Sequence, residues 1–155
     1  MNSMNLIPLT GIPKVKPGDE ISTFIIKSIK RKKIKISKND LIVIAHKIVS
    51  ISENRFVELN KVKVGKRAIS LSKKIDKSKE FCQLILDNSK KIIKIKKGVI
   101  ITENRLGIIT ANAGIDQSNI NKKDFCLLLP LNPNATARKI SQAIYQETGK
   151  KLGII

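Results

Sequence analysis

Aromatic residues are what this sequence has least of: they make up 3% of its 155 residues, with one Tyr and no Trp. That shortage disfavours proteins that read single-stranded nucleic acid by stacking bases on aromatic side chains, and it leaves the core to Ile, Leu and Val. Histidine occurs once, as His46, which excludes a multi-histidine metal site within one chain. Acidic residues are also scarce: 12 Asp plus Glu stand against 31 Lys plus Arg, a formal charge of +19. Such a field attracts polyanions. Yet only Arg31, Arg55, Arg67, Arg105 and Arg138 carry the guanidinium fork suited to bidentate contacts with base edges or phosphates, and the lysines are spread over nearly the whole chain. The charge reads first as a solvated lysine surface, next as an attraction for a nucleotide or another phosphorylated small molecule, and last as a nucleic-acid footprint. The two cysteines, Cys82 and Cys126, each sit inside an apolar run. This suits a reduced intracellular protein with buried thiols and leaves one disulfide open. No apolar run approaches transmembrane length and the first residues hold no signal-peptide core, so the cytoplasm is the expected compartment and no membrane partner is expected.

What is present suffices for a core. With 41% hydrophobic residues, 8 Gly and 5 Pro, the composition suits one ordinary soluble domain over residues 1–155. Pro8, Pro13 and Pro17 restrict the opening segment while Gly11 and Gly18 relax it, so an extended stretch with turns is expected. Thr10 and Gly11 offer a hydroxyl and backbone amides to phosphate oxygens. The spacing does not match the phosphate-binding GxxxxGK[ST] loop, and a structural turn is the plainer reading. Asp19 is placed to cap a helix whose Ile21, Phe24, Ile25 and Ile29 share one face, with Lys30 and Arg31 in its last turn.

After the basic connector from Lys32 to Lys38, Asn39 and Asp40 turn the chain into Leu41–Ala45, which reads as a strand covered on both faces. His46 and Lys47 follow at its carboxyl end, where open α/β sheets bind ligands. The alternatives are a hydrogen-bonded histidine at a strand end and a surface lysine. Phe56–Leu59 suggests a short edge, Lys66–Ile75 a modestly amphipathic helix, and Ser78 the cap of a second helix carrying Phe81, Cys82, Leu84 and Ile85. Phe125–Leu129 is a further apolar strand stopped by Pro130. Asn132 and Pro133 start a helix with Ala137, Ile140, Ile144 and Thr148 on its packing stripe and Gly149 at its end, and Leu152 to Ile155 begins one more strand. The expected class is α/β, a mixed central sheet flanked by at least three helices.

The most informative stretch runs from Gly98 to Ile120. Val99–Thr102 and Leu106–Thr110 read as a hairpin joined by Glu103, Asn104 and Arg105. The second strand feeds Ala111, Asn112, Ala113 and Gly114, too small to fill a core, then Asp116, Gln117, Ser118 and Asn119. A polar cluster after an apolar strand, with a glycine that lets a ligand approach the backbone, is one way a site is placed on a scaffold. A tight surface turn capped by its own side chains accounts for the same letters.

GIITANAGIDQSN, taken with LTGIP near the start, HKIVS after the first apolar run and LLLPLNPNATARKI, closely resembles the coenzyme F420:L-glutamate ligase (F420-0:gamma-glutamyl ligase) family. Its members add L-glutamate to a deazaflavin precursor using GTP. The similarity runs from about Leu6 to Ile155 and covers the amino-terminal portion of a family member. It implies a mixed α/β fold of the family's own, incomplete at the C-terminus, and a homodimer or a complementing C-terminal polypeptide. GTP would be cosubstrate, with Mg²⁺ or Mn²⁺ and K⁺ as a further candidate ion. Carried over residue by residue, the resemblance makes Asp116 a metal ligand and catalytic group. Lys47 becomes a catalytic lysine near the phosphates. Leu9, Thr10, Gly11 and Ile12 become the segment that meets guanine nucleotide, with His46 and Asn119 as further nucleotide contacts. Asn112 and Ser118 are weaker assignments beside metal or substrate. Two positions depart from the pattern: His46 stands where Gln or Ser is more frequent, and Ile51 where a second lysine commonly follows KIVS. An SDTFGR-like segment, whose Asp and Thr help hold metals in the family, lies beyond the last residue.

Three functions follow as alternatives. One is a GTP-dependent glutamate ligase, or its nucleotide- and metal-binding part, inactive alone. Another is a non-catalytic nucleotide-binding or interaction domain derived from the same family. The third is a basic RNA-associated protein, which draws only on charge and predicts steeply salt-dependent binding.

Overall fold

A computed structural model describes residues 4–117 and 124–155. Among them the elements run α1 (Ile21–Arg31), β1 (Leu41–Ile42), α2 (His46–Ser52), β2 (Phe56–Glu58), α3 (Lys66–Ile75), α4 (Lys79–Asp87), β3 (Ser89–Lys96), β4 (Val99–Asn104), β5 (Ile109–Ala111), β6 (Phe125–Leu127), α5 (Pro133–Thr148) and β7 (Gly153–Ile154). The class is α/β, and the strands form three small sheets: β1 with β7, β2 with β6, and β3-β4-β5. The chain divides into two compact units, Met1–Asn54 with Pro130–Ile155, and Arg55–Leu129.

In the first unit, isoleucine at four-residue spacing organises the packing. Ile21, Ile25 and Ile29 of α1 are buried with Ile140 and Ile144 of α5, Ile42, Val49 and Leu152. Lys139 meets Glu20 at 2.7 Å and Lys30 meets Glu147 at 2.6 Å, tying α1 to α5 through exposed pairs worth about 0–1 kcal/mol each. The expected cap of α1 is elsewhere. Asp19 accepts from the Lys16 N–H at 2.7 Å, closing the turn before the helix, and Glu20 occupies the cap position without a side-chain bond to the helix amides. A carboxylate one residue too early meets the amide of its own turn. At α5 the expectation holds: Asn132 accepts from Ala135 N–H at 3.0 Å, Pro133 follows, and Gly149 ends the helix.

The strand read as Leu41–Ala45 is shorter and covered on one face only. Leu41 pairs with Gly153 and Ile42 with Ile154 in parallel. Ile42 is buried, while Leu41 and Val43 are 60% and 73% exposed. A continuous apolar run does not reveal how many faces its neighbours cover, and here the alternate residues leave the core.

In the second unit α3 and α4 pack with the three-stranded sheet, burying Ala68, Leu71, Ile75, Phe81, Cys82, Ile85 and Ile100. Full burial of Ile75, Ile85 and Ile100 contributes about 1.5–3 kcal/mol each. α3 keeps the limits read from sequence, and Ser78 accepts from Phe81 N–H at 3.1 Å to cap α4 as expected. The hairpin is present, with its turn displaced. Glu103 and Asn104 remain in β4, and Ile101, Thr102 and Glu103 pair with Ala111, Thr110 and Ile109. The chain reverses over 105–108 because the Asn104 carboxamide oxygen accepts from Leu106 N–H at 2.9 Å and Ile108 N–H at 3.0 Å. Cys82 and Cys126 are both free and buried in this core.

Candidate functional site

After β5 the backbone enters a left-handed turn. Asn112, Ala113 and Gly114 have φ of 50°, 56° and 74° in succession. For the two non-glycine residues this costs about 1–2 kcal/mol each, so neighbouring contacts must hold it. Three do. The Asn112 carboxamide oxygen accepts from Ile100 N–H of β4 at 3.1 Å, and Ile115 N–H donates to Asn112 C=O at 3.0 Å. Ala113 is buried at 2% exposure among the core side chains. Gly114 lies under Leu129, where a Cβ would come within 2.7 Å of its Cδ1.

Asp116 follows at once. Its N–H donates to Leu127 C=O at 2.9 Å and its C=O accepts from Leu127 N–H at 2.8 Å, so its backbone is fixed against β6. Leu127 pairs with Phe56 of β2 in addition, which roots the position in a second strand. The neighbouring Cys126 thiol has its pKa pushed up to about 11, chiefly by burial and further by the Asp116 carboxylate. The thiol is therefore protonated at pH 7. Cys82 is raised too, by burial and then by Glu80.

Leu9 to Ile12, His46 and Lys47 belong to the first unit. Leu9, Thr10, Gly11 and Ile12 form an extended stretch against the end of α1. Leu9 packs on the core, and Thr10 C=O accepts from Ser28 Oγ at 2.9 Å and from the Arg31 guanidinium, which also lies against Gly11. One of the stretch's polar groups is thus engaged within the fold. His46 and Lys47 are the first two residues of α2, separated from β1 by three residues and not at the end of a buried strand; His46 is exposed and Lys47 half-buried. Asn119 and Ser118 lie outside the described residues. Sequence reasoning placed Asn112 beside metal or substrate. In the structure its oxygen is spent on β4, a role signalled in the letters only by an Asn at the head of a small-residue turn.

A groove of about 260 Å³ on the first unit, lined by Asn134, Ala137, Arg138, Ser141, Leu152 and Ile154, contains none of the expected site residues. Among the described residues no group of three or more His, Cys, Asp or Glu side chains is placed to hold a metal. A closed protein cage for an ion is therefore not formed by them. A single carboxylate such as Asp116 instead suits Mg²⁺ or Mn²⁺, which are commonly held by one or two carboxylates together with substrate phosphates and water.

The family model described as F420-0:Gamma-glutamyl ligase matches residues 11–155. The chain belongs to this family. Among curated relatives, the coenzyme F420:L-glutamate ligase of Methanocaldococcus jannaschii is 42% identical over 120 residues, 77% of this chain and 47% of the relative. The protein of that name from Methanococcus maripaludis is 40% identical over 123 residues, 79% of this chain and 49% of the relative. That of Methanothermobacter thermautotrophicus is 33% identical over 152 residues, 98% of this chain and 60% of the relative. The chain thus spans about half the length of the curated F420-0:gamma-glutamyl ligase relatives it matches.

Proposed function

We propose that this chain is the nucleotide- and metal-binding part of a ligase that joins L-glutamate to a deazaflavin precursor at the expense of GTP. The observation that carries the reading is the family match over residues 11–155, whose relatives bear the name coenzyme F420:L-glutamate ligase. Supporting it, Asp116 is held by a two-bond backbone bridge directly after a constrained turn, as a group that must meet a metal–phosphate complex at a set position would be. No described helix is long and apolar enough to cross a membrane.

In this reading the precursor's carboxylate attacks the γ-phosphorus of GTP, the P–O bond to GDP breaks, and the resulting acyl phosphate is attacked by the glutamate amine. The amide C–N bond forms, and phosphate and a proton leave. Mg²⁺ or Mn²⁺ would neutralise phosphate charge, with Asp116 as a ligand. On the first unit, Lys47 would offer positive charge to nucleotide phosphate, and Leu9 to Ile12 with His46 would border guanine nucleotide. Asn119 is a further nucleotide contact. One carboxylate and one lysine attract a nucleotide, whereas transfer asks for a full set of groups around the phosphoryl oxygens. In this reading the chain alone binds GTP or GDP weakly with Mn²⁺ and transfers little glutamate.

The test is to incubate the chain with the deazaflavin precursor, L-glutamate, GTP and Mn²⁺, follow the glutamylated product by mass spectrometry, and titrate Mn²⁺ with GTP present. Metal-assisted nucleotide binding lost in Asp116→Ala, with negligible product, is expected. Robust turnover abolished by Asp116→Ala would overturn the inactivity of the isolated chain; binding indifferent to Asp116→Ala would overturn the site itself.

A further inference from the structure

The second unit contains a feature that metal binding by Asp116 does not by itself require: a stretch of three left-handed residues tied to β4 by one side chain. We infer that Asn112 is a positioning residue for Asp116, holding the left-handed turn through its bond to Ile100 N–H so that the carboxylate is presented to a divalent cation. The inference rests on Asp116 serving as a metal ligand.

The physical case begins at the ladder. β5 pairs with β4 through Ile109, Thr110 and Ala111, and the backbone then leaves the sheet. Ile100 N–H, one residue before the paired Ile101, would lose a strand partner there; the Asn112 oxygen takes it at 3.1 Å. Ile100 is fully buried, so an unmet amide at this point would be left without water or protein to bond it. The side chain therefore extends the sheet by one bond while its backbone, at φ 50°, starts the reversal. Asparagine is among the few residues other than glycine that adopt this conformation readily. From Asn112 the path to the carboxylate is short and fixed at every step: Ile115 N–H returns to Asn112 C=O, Gly114 is pressed beneath Leu129, and Asp116 is clamped to Leu127. Freeing the Asn112 end of that path leaves the Leu127 clamp in place and releases the direction from which the chain enters it. Groups bonded directly to a metal ligand change metal affinity by about 10- to 100-fold when lost, and for one that acts through the backbone the lower end of that range is expected.

Three substitutions in the full chain separate the possibilities, read by Mn²⁺ affinity from electron paramagnetic resonance with GDP present and by hydrogen exchange at the Ile100 amide. Asn112→Gly keeps the left-handed backbone and removes the acceptor. It should stay folded, speed Ile100 exchange and weaken Mn²⁺ about tenfold. Asn112→Asp keeps an acceptor and should preserve both Ile100 protection and Mn²⁺ affinity. Asp116→Ala should abolish Mn²⁺ binding and leave Ile100 protected. If Asp116→Ala abolishes binding while Asn112→Gly leaves it unchanged, Asn112 only holds the strand and the inference fails alone. Should Asn112→Asp lose Mn²⁺ tenfold with Ile100 still protected, the bond is not the positioning device and the inference fails again. Mn²⁺ binding indifferent to Asp116→Ala overturns the metal assignment and the inference with it.

Discussion

Gly114→Ala tests the turn before Asp116 most directly, because two separate effects act there and a neighbouring glycine isolates one of them. At Gly114 φ is 74°, and an alanine Cβ would stand 2.7 Å from Leu129 Cδ1 and 2.9 Å from its Cγ. The left-handed backbone costs an L-residue about 1–2 kcal/mol. Displacing Leu129 in a packed interior adds about 1–3 kcal/mol, giving a loss of about 2–5 kcal/mol. At roughly 2–4 °C per kcal/mol for a chain of this size, the melting temperature should fall by about 4–20 °C. Gly107 is the control: its φ is 82° and nothing lies within 4 Å of its Cβ position. Gly107→Ala should therefore lose only the backbone part, about 1–2 kcal/mol. Thermal unfolding by far-UV circular dichroism compares the two. Combining Gly114→Ala with Leu129→Ala should recover about 0.5–3 kcal/mol relative to the sum of the single changes, since they share one contact. Equal melting losses for Gly114→Ala and Gly107→Ala, with strict additivity in the double variant, would refute a tight Gly114–Leu129 contact.

Thr102 is fully buried and its Oγ1 has no partner among the described residues, so the isosteric Thr102→Val should be neutral or stabilise by about 1 kcal/mol in urea unfolding; a clear loss would reveal an ordered water there. Cys126 has a folded pKa near 11 against 9.0 for an ordinary thiol, so the fold holds this proton more tightly than the unfolded chain. Its contribution is complete below about pH 9 and is lost as pH rises to about 11, at most roughly 3 kcal/mol, and Cys126→Ala should flatten that alkaline decline in stability. Ile51 lies one helical turn after Lys47 on α2, so Ile51→Lys should tighten GTP binding several-fold at low ionic strength and less at high salt. An unchanged affinity by titration calorimetry would argue that this face of α2 does not meet the phosphates.

Helix periodicity was the most legible signal. Ile21, Ile25 and Ile29, the limits of α3, and the caps at Ser78 and Asn132 could all be read because each depends on contacts within a few residues. What failed depended on distant partners or on competition between neighbours. Asp19 and Asn104 are both able to cap or turn, and the amides they serve are set by one-residue differences in where the helix starts or the strand ends. The two-faced burial expected of Leu41–Ala45 required knowing how many layers surround β1. For the candidate site, the motif singles out Asp116 as a candidate, whereas the placement of His46 and Lys47 at a helix start is not legible, because HKIVSIS is apolar enough for either a strand or two turns of helix.

The motif around Asp116 is recognisable for a reason that is largely mechanical. Asn112 supplies the acceptor that replaces a strand partner for Ile100, and it tolerates the left-handed backbone. Ala113 is small enough to be buried at φ 56° with its methyl group in the core. Gly114 lacks the Cβ that Leu129 would reject. Ile115 returns its N–H to Asn112 and is itself 8% exposed. Four letters in five thus describe a path for the backbone, and the fifth carries the carboxylate. The bland reading of this stretch, a turn secured by its own side chains, and the functional reading, a site on a rigid scaffold, are consequently not rivals. The turn is the means by which a single half-buried aspartate is held against β6, and a chemical role for Asp116 would require both the letters that fold the turn and the one that carries the carboxylate.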